Sequence, residues 1–300
     1  MSALTELHID LGNSRGKWRL LHGKQALAQG TVEPETGRGL PRLDALETSL
    51  EIPLDSESSV AGGATEQGYA RASIQGNVQA PKANSASDQE SSRAATPKPS
   101  KFTYPIQVTL ASVADAAIEA HLRASLRDHF DCVIETLYTP AHALGMTNSY
   151  SDHTRMGIDR WLAMLAAWYP NQTDVVVVDA GSALTLDVVA ANGDHQGGVI
   201  IPGANLSERA LLEKTGKVRF EENIAHELLL GKSTAECVRY GIAHSQLGAL
   251  ESIAKRYNLN NHRWFFAGGA GEWLMQRMDV DGQLAVDLVL DGIGVAQLAW

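Results

Sequence analysis

The run Val175–Asp187, V-V-V-V-D-A-G-S-A-L-T-L-D, puts an acid, a glycine and a hydroxyl at the end of an apolar strand. The Asp179 carboxylate can hold a cation. Gly181 lets backbone N–H groups approach an anion closely, and Ser182 adds a donor. That set suits a phosphate and its metal. The same device stands near the N-terminus in Leu7–Trp18, L-H-I-D-L-G-N-S-R-G-K-W. Asp10 aligns with Asp179, Gly12 with Gly181 and Asn13 with Ser182, all at one offset. A single Asp-x-Gly is most often an ordinary turn. Two in matching contexts point to an internal repeat whose turns, facing one another, would hold a polyphosphate between two domains.

A third constellation is Met156–Trp161, M-G-I-D-R-W, just before an alanine-rich apolar helix. Asp159 at a helix start is favoured by the helix dipole, which is a structural role sufficient in itself. Arg160 is disfavoured there without an anionic partner. A carboxylate or phosphate ligand gripped in bidentate fashion and an intramolecular salt bridge both satisfy it, and spacing leaves the two open. Gly268–Gly271 follows a short strand. Such glycines either admit a ligand against backbone or make a tight turn.

Four consecutive valines predict a buried strand, and Leu184–Val189 returns at once as a hairpin. The matching strands at the front are Leu4–Asp10 and Lys17–His22, with another over Lys24–Val32. Each hairpin turns at a glycine, Gly23 or Gly193. Strand character at Ile106–Ser112 and Cys132–Thr136 flanks a helical pattern over Ala114–His129, an α/β alternation. Later come a strand at Gly197–Gly203, helices over Asn205–Lys214 and Ser233–Tyr257, a strand at Trp264–Ala267, a strand at Val286–Leu290 and a helix from Gly292. Ser233 with Glu236 has the spacing of a capping box. A short helix is expected over Leu43–Leu50. The stretch from about Glu51 to Ser100 is rich in Ser, Ala, Gly, Gln, Asn and Pro. It has too little apolar surface to offset its ordering entropy, so it reads as a mobile, poorly ordered insertion.

With 300 residues the expectation is two domains, 1–150 carrying the insertion and 151–300. The net charge of -10 argues against nonspecific nucleic-acid binding but not against a phosphorylated substrate. No apolar run is long enough to span a bilayer and no signal peptide is visible, so a cytoplasmic protein without membrane contact is expected. The 2 cysteines, Cys132 and Cys237, are expected to be reduced and buried. No tight histidine pattern suggests zinc. There is no P-loop, and no G-x-G-x-x-G follows the first strand.

Taken together, D-L-G-N-S-R-G-K-W, Asn148-x-Tyr150, G-I-D-R-W, D-A-G-S-A-L-T-L-D and G-G-V-I-I-P-G resemble the type III pantothenate kinase family, in that family's order. Lys214-Thr215-Gly216 and Phe266-Ala267-Gly268-Gly269 also fit. The match covers roughly 4–32 and 105–300. The 51–100 segment has no counterpart, and Ser182 stands where the family usually has threonine. The resemblance implies an actin-like ATPase fold, an α/β protein of two ribonuclease-H-like domains with ATP in the cleft. It implies ATP-dependent phosphorylation of pantothenate at the start of coenzyme A synthesis, with Mg²⁺, a monovalent cation (K⁺ or NH₄⁺) and a homodimer. By the same resemblance Asp159 is the general base. Asp10 belongs to the Mg²⁺–phosphate region, and Gly12, Asn13, Ser14 and Lys17 contact phosphate. Asp179 binds the monovalent cation, and Ser182 and Thr185 line the phosphates of the second hairpin. Gly268 and Gly269 lie near the adenosine. Tyr150, Gly157 and Arg160 hold pantothenate, and Thr215 reaches it across the dimer interface. Another small-molecule kinase of the same fold and a non-catalytic, ATP-binding regulatory or transcription-accessory relative are the competing readings. Retention of Asp10, Asp159, Arg160 and Asp179 together favours catalysis.

Overall fold

The structure is a computed structural model that describes residues 5–12, 15–32, 102–221 and 223–298. The expected helix at 43–50 and the insertion read at 51–100 lie outside the described residues. So do Asn13 and Ser14, two of the expected phosphate contacts.

β1 (Thr5–Leu11), β2 (Gly16–His22) and β3 (Gln25–Val32) form an antiparallel meander. β4 (Phe102–Ser112) pairs parallel with β1, and β5 (Phe130–Thr136) pairs parallel with β4. A small ribbon follows, β6 (His142–Ala143) with β7 (Met146–Thr147). The second half repeats the first. β8 (Val175–Ala180), β9 (Ala183–Val189) and β10 (His195–Pro202) are the meander, and β11 (Arg263–Ala267) and β12 (Gly282–Leu284) extend it in parallel. The two five-stranded sheets have orders β3-β2-β1-β4-β5 and β10-β9-β8-β11-β12. The internal repeat is therefore a repeat of topology. Asp10 and Asp179 each occupy the last position but one of a central strand.

Strand periodicity sorts the valines of β8. Val176 and Val178 enter one core with Leu247 and Leu250; Val175 and Val177 enter another with Trp161 and Leu165. Alternate side chains of a strand point to opposite faces, so a run of valines is what a sheet covered on both sides requires. In β1 only one face is apolar. Leu7, Ile9 and Leu11 pack on Leu122 and Leu126 of α1 (Ala116–His129), which Asp115 caps by accepting from Ala117 N at 2.9 Å. The opposite face presents Glu6, His8 and Asp10.

α2 (Ile158–Trp168) buries ten of its eleven residues, Trp161 and Leu162 among the deepest. A helix apolar all round belongs inside. It packs against α6 (Leu288–Ala296), and the pair bridges the sheets: α6 touches β1 and β2, while α2 touches β8 and β9. Gln297, just past α6, donates to Glu6 Oε2 at 2.8 Å and Thr109 Oγ1 at 3.2 Å; Asp291 of α6 accepts from Arg19 Nη1 at 2.6 Å. α3 (Ala204–Lys214), α4 (Thr234–Arg256) and α5 (Gly271–Met275) complete the second half, and the capping box of Ser233 and Glu236 is formed. No helix among the described residues is long and apolar enough to cross a membrane.

Two expectations are corrected. The strand expected at Val286–Leu290 is absent: the strand lies at Gly282–Leu284, and Leu288 already begins α6. Short apolar runs do not distinguish a buried helix from a buried strand, and here burial against α2 decides for helix. Both cysteines are free, but Cys237 is exposed, because it falls on the solvent side of the first turn of α4.

Candidate active site

Three carboxylates meet where the two sheets and α2 come together. Asp10 ends β1 on the polar face. Asp179 shares the face of Val175 and Val177, which looks toward α2, and Asp159 lies in the first turn of α2. Each is partly buried. Loss of solvent raises the Asp10 carboxyl to about 7, with the charges of Asp159 and Asp179 adding to the rise and Lys17 opposing it. Asp179 is pushed up to about 6 by burial and by the charge of Asp159, again with Lys17 in opposition. Burial also raises Asp159, while the Arg160 backbone N–H (2.8 Å from Oδ1) and the Arg160 charge hold it down. None of the three is ion-paired among the described residues. Carboxylates crowded in this way resist ionising together, and a cation bound among them would relieve their repulsion.

The backbone around them leaves room. A Cβ on Gly157 would collide with Asp159 Oδ1, so that glycine lets the carboxylate occupy its place. Gly268, at φ +77, lies against Asp179 Oδ1 and the Ala180 carbonyl. Gly12 N donates to Arg15 O at 3.1 Å, closing the turn between β1 and β2. Gly181 N donates to Ala183 O at 2.9 Å in the corresponding turn, which leaves Ser182 exposed. Thr185 stands opposite Asp179 in the β8–β9 register. Gly269 faces open space.

Lys17 lies near enough to Asp10 and Asp179 to act on both, yet its Nζ donates to Val286 O and lies 3.5 Å from Asp287 Oδ1. Thr215 caps the end of α3, its hydroxyl donating to Leu211 O at 2.8 Å. No hydrogen bond among the described residues joins Thr215 to the three acids.

Arg160 resolves as a salt bridge with a second role available. Its Nε donates to Asp187 Oδ2 at 2.9 Å and its Nη2 to Asp187 Oδ1 at 2.5 Å, both buried. Its Nη1 donates to the Tyr150 hydroxyl at 2.9 Å, and its guanidinium stands 5.8 Å from that ring's centre. Burial would lower the Arg160 pKa, but the hydrogen bonds and charge of Asp187 outweigh it and the net shift is upward. Asn148 Oδ1 accepts from Tyr150 N at 2.9 Å, turning the tyrosine toward the arginine. Asp187 and His195, which meet at 3.1 Å, were not among the residues expected here. Asp187 closes the same D-A-G-S-A-L-T-L-D run that Asp179 opens, and a buried acid mid-strand was the available signal.

The donor set is hard oxygen, which fits Mg²⁺. Among the described residues no three His, Cys, Asp or Glu side chains are arranged to hold a metal alone. Mg²⁺ is commonly held by one or two carboxylates plus substrate phosphates, so a complete protein cage is not required.

Two sheets of one order, each with a carboxylate at the last position but one of its central strand and a glycine turn beyond it, have the topology of an actin-like ATPase fold. A family model described as type III pantothenate kinase matches residues 58–256. The type III pantothenate kinase of Marinobacter nauticus is 34% identical over 190 residues, 62% of this chain and 77% of its own. That of Alkalilimnicola ehrlichii is 34% identical over 208 residues, 65% of this chain and 79% of its own. The chain belongs to the type III pantothenate kinase family.

Proposed function

We propose that this chain transfers the γ-phosphoryl group of ATP to the hydroxyl of pantothenate, giving 4'-phosphopantothenate, the first step of coenzyme A biosynthesis. The observation that carries the reading is the cluster of Asp10, Asp159 and Asp179, brought together from three separate elements and ion-paired to no basic side chain among the described residues.

Phosphoryl transfer is catalysed mostly by positioning and by neutralising charge. Mg²⁺, when bound, neutralises charge on the β- and γ-phosphates; Asp10 is the residue that would hold it, and Asp179 would hold K⁺ or NH₄⁺. The backbone of the turns at Gly12 and Gly181, with Asn13, Ser14, Ser182 and Thr185, binds the phosphates. Lys17 exchanges its contacts at Val286 and Asp287 for phosphate oxygens. Gly268 and Gly269 lie beside the adenosine. Asp159 accepts the proton of the pantothenate hydroxyl. Tyr150 and Arg160 hold the acceptor: three of the five guanidinium N–H groups are committed to Asp187 and Tyr150, which leaves two for substrate. Each sheet with its helices is one ribonuclease-H-like domain, 1–150 and 151–300. A turnover assay with ATP and pantothenate against other small alcohols tests the reading. Equal turnover of unrelated alcohols, or none with pantothenate, overturns it.

The active species is a homodimer. α3 buries no residue within one chain and exposes Leu206 and Leu211, and the following segment exposes Leu229 (58%) and Leu230 (90%). Large apolar side chains exposed in such number mark an interface. A second chain there would also supply Thr215 to its partner's substrate. Light scattering at assay concentration is expected to give twice the chain mass; a fully active monomer overturns the assignment.

A further inference from the structure

Behind Arg160 runs a chain of hydrogen bonds that the phosphotransfer chemistry does not use. Ser149 Oγ lies 2.9 Å from His195 Nδ1, and His195 Nε2 lies 3.1 Å from Asp187 Oδ1. Asp187 then receives Nε and Nη2 of Arg160, and Arg160 Nη1 reaches the Tyr150 hydroxyl. The His195 ring stacks on that of Tyr150 with centroids 6.4 Å apart, so the chain closes on itself. His195 and Asp187 are both buried, and Ser149 is exposed. Asp187 can only accept, so His195 Nε2 donates to it, while Nδ1 meets the Ser149 hydroxyl, which can donate or accept.

The sheet is shaped around this chain. Gly198 stands opposite Asp187 in the β9–β10 register. A Cβ there would collide with Asp187 Oδ1 and the Leu186 carbonyl, and would lie 2.8 Å from Arg160 Nη2. The second glycine of G-G-V-I-I-P-G thus gives the ion pair its space.

We propose that Ser149, His195 and Asp187 are positioning residues that fix the guanidinium plane of Arg160, and through it the Tyr150 hydroxyl, in register with the acceptor substrate. This rests on the reading of Arg160 and Tyr150 as pantothenate ligands. Asp187 sets the guanidinium edge by its two-point contact, which admits one plane. His195 keeps Asp187 from rotating, because it occupies one face of the oxygen that also receives Nη2. Ser149 holds the other ring nitrogen and so fixes the rotation of the ring that lets His195 do this. The side chain that holds substrate is then preorganised, at no cost when substrate arrives.

Asp187 is a poor test residue, since its loss would strand a buried arginine and unfold the chain. His195→Leu removes both imidazole bonds, His195→Gln keeps a donor for Asp187, and Ser149→Ala removes only the outer bond. His195→Leu is expected to raise the pantothenate KM about 10–100-fold, the usual scale for a hydrogen bond to a charged group. Its kcat and ATP KM should stay within about twofold of wild type. His195→Gln should recover most of that loss. Ser149→Ala, at an exposed position that folds regardless, should raise the pantothenate KM about 3–10-fold. A lowered melt with an unchanged pantothenate KM, or an unchanged KM in Ser149→Ala if His195→Leu does not fold, overturns the relay. Arg160→Lys separates the two levels. If it leaves the pantothenate KM unchanged, the substrate-ligand reading of Arg160 falls and the relay with it. If it raises the KM while the His195 and Ser149 variants do not, only the relay falls.

Discussion

Asp159→Asn is expected to give a folded protein that binds ATP and turns over about 10²–10⁴-fold more slowly, the usual worth of general-base assistance. The amide keeps the size of the carboxyl and can still accept from the Arg160 backbone N–H, which lies 2.8 Å from Oδ1. It cannot take the hydroxyl proton. The loss should therefore appear in kcat, with the nucleotide KM little changed. A purely structural Asp159 would behave otherwise. An acid in the first turn of a helix contributes about 0.3–1 kcal/mol through the dipole, so the melt would drop slightly and turnover would hardly change. The measurement is kcat for pantothenate beside a thermal melt of the same variant. Near wild-type kcat refutes the base.

Asp10→Asn should separate stability from activity. The folded-state pKa of Asp10 is about 7, well above its ordinary value of 3.8, through burial and the charges of Asp159 and Asp179. The folded protein therefore binds a proton that the unfolded chain has released between those values. The associated stability is fully present below pH 3.8 and is lost as pH rises through about 7. Asp179, raised to about 6, acts in the same sense. Ligand-free wild type should melt lower at pH 8 than at pH 5. Asparagine carries no charge to crowd, so Asp10→Asn should melt above wild type at pH 8 and near it at pH 5. Turnover should fall on the order of 10²-fold or more, since a divalent cation contributes several kcal/mol of charge stabilisation in the transition state. A variant that melts lower than wild type at pH 8, or that keeps its turnover, contradicts the role given to Asp10.

The sequence carried the strands around Asp10 and Asp179 because both lie in strongly apolar runs ended by glycine, and their alignment foretold the repeated sheet order. It carried Asp159 through its place before an apolar helix. It did not carry the order in which the acids shift, which depends on Lys17, two strands and a helix meeting in space. Nor did it choose between ligand and salt bridge for Arg160. The deciding partner, Asp187, is 27 residues away and reaches Arg160 because β9 passes the buried helix. His195 was silent for a similar reason: a lone histidine at a strand start shows its meaning only when Ser149 and Asp187 are at its two nitrogens. The misread of 286–290 has a local cause, five residues being too few to show a period.

Gln297 on Glu6, and Asp291 on Arg19, tie the last helix to the first hairpin. Glu6 and Gln297 are 291 positions apart, so this closure has a timetable. At about 5–20 residues per second on the ribosome, roughly 15–60 s separate the appearance of one partner from that of the other. Through that interval β1 can bury Leu7, Ile9 and Leu11, but its polar face, Asp10 included, has no cover. The carboxylate site would then be among the last parts of the molecule to be enclosed, and a nascent chain halted before residue 288 would present a hairpin whose second side is still waiting for α6.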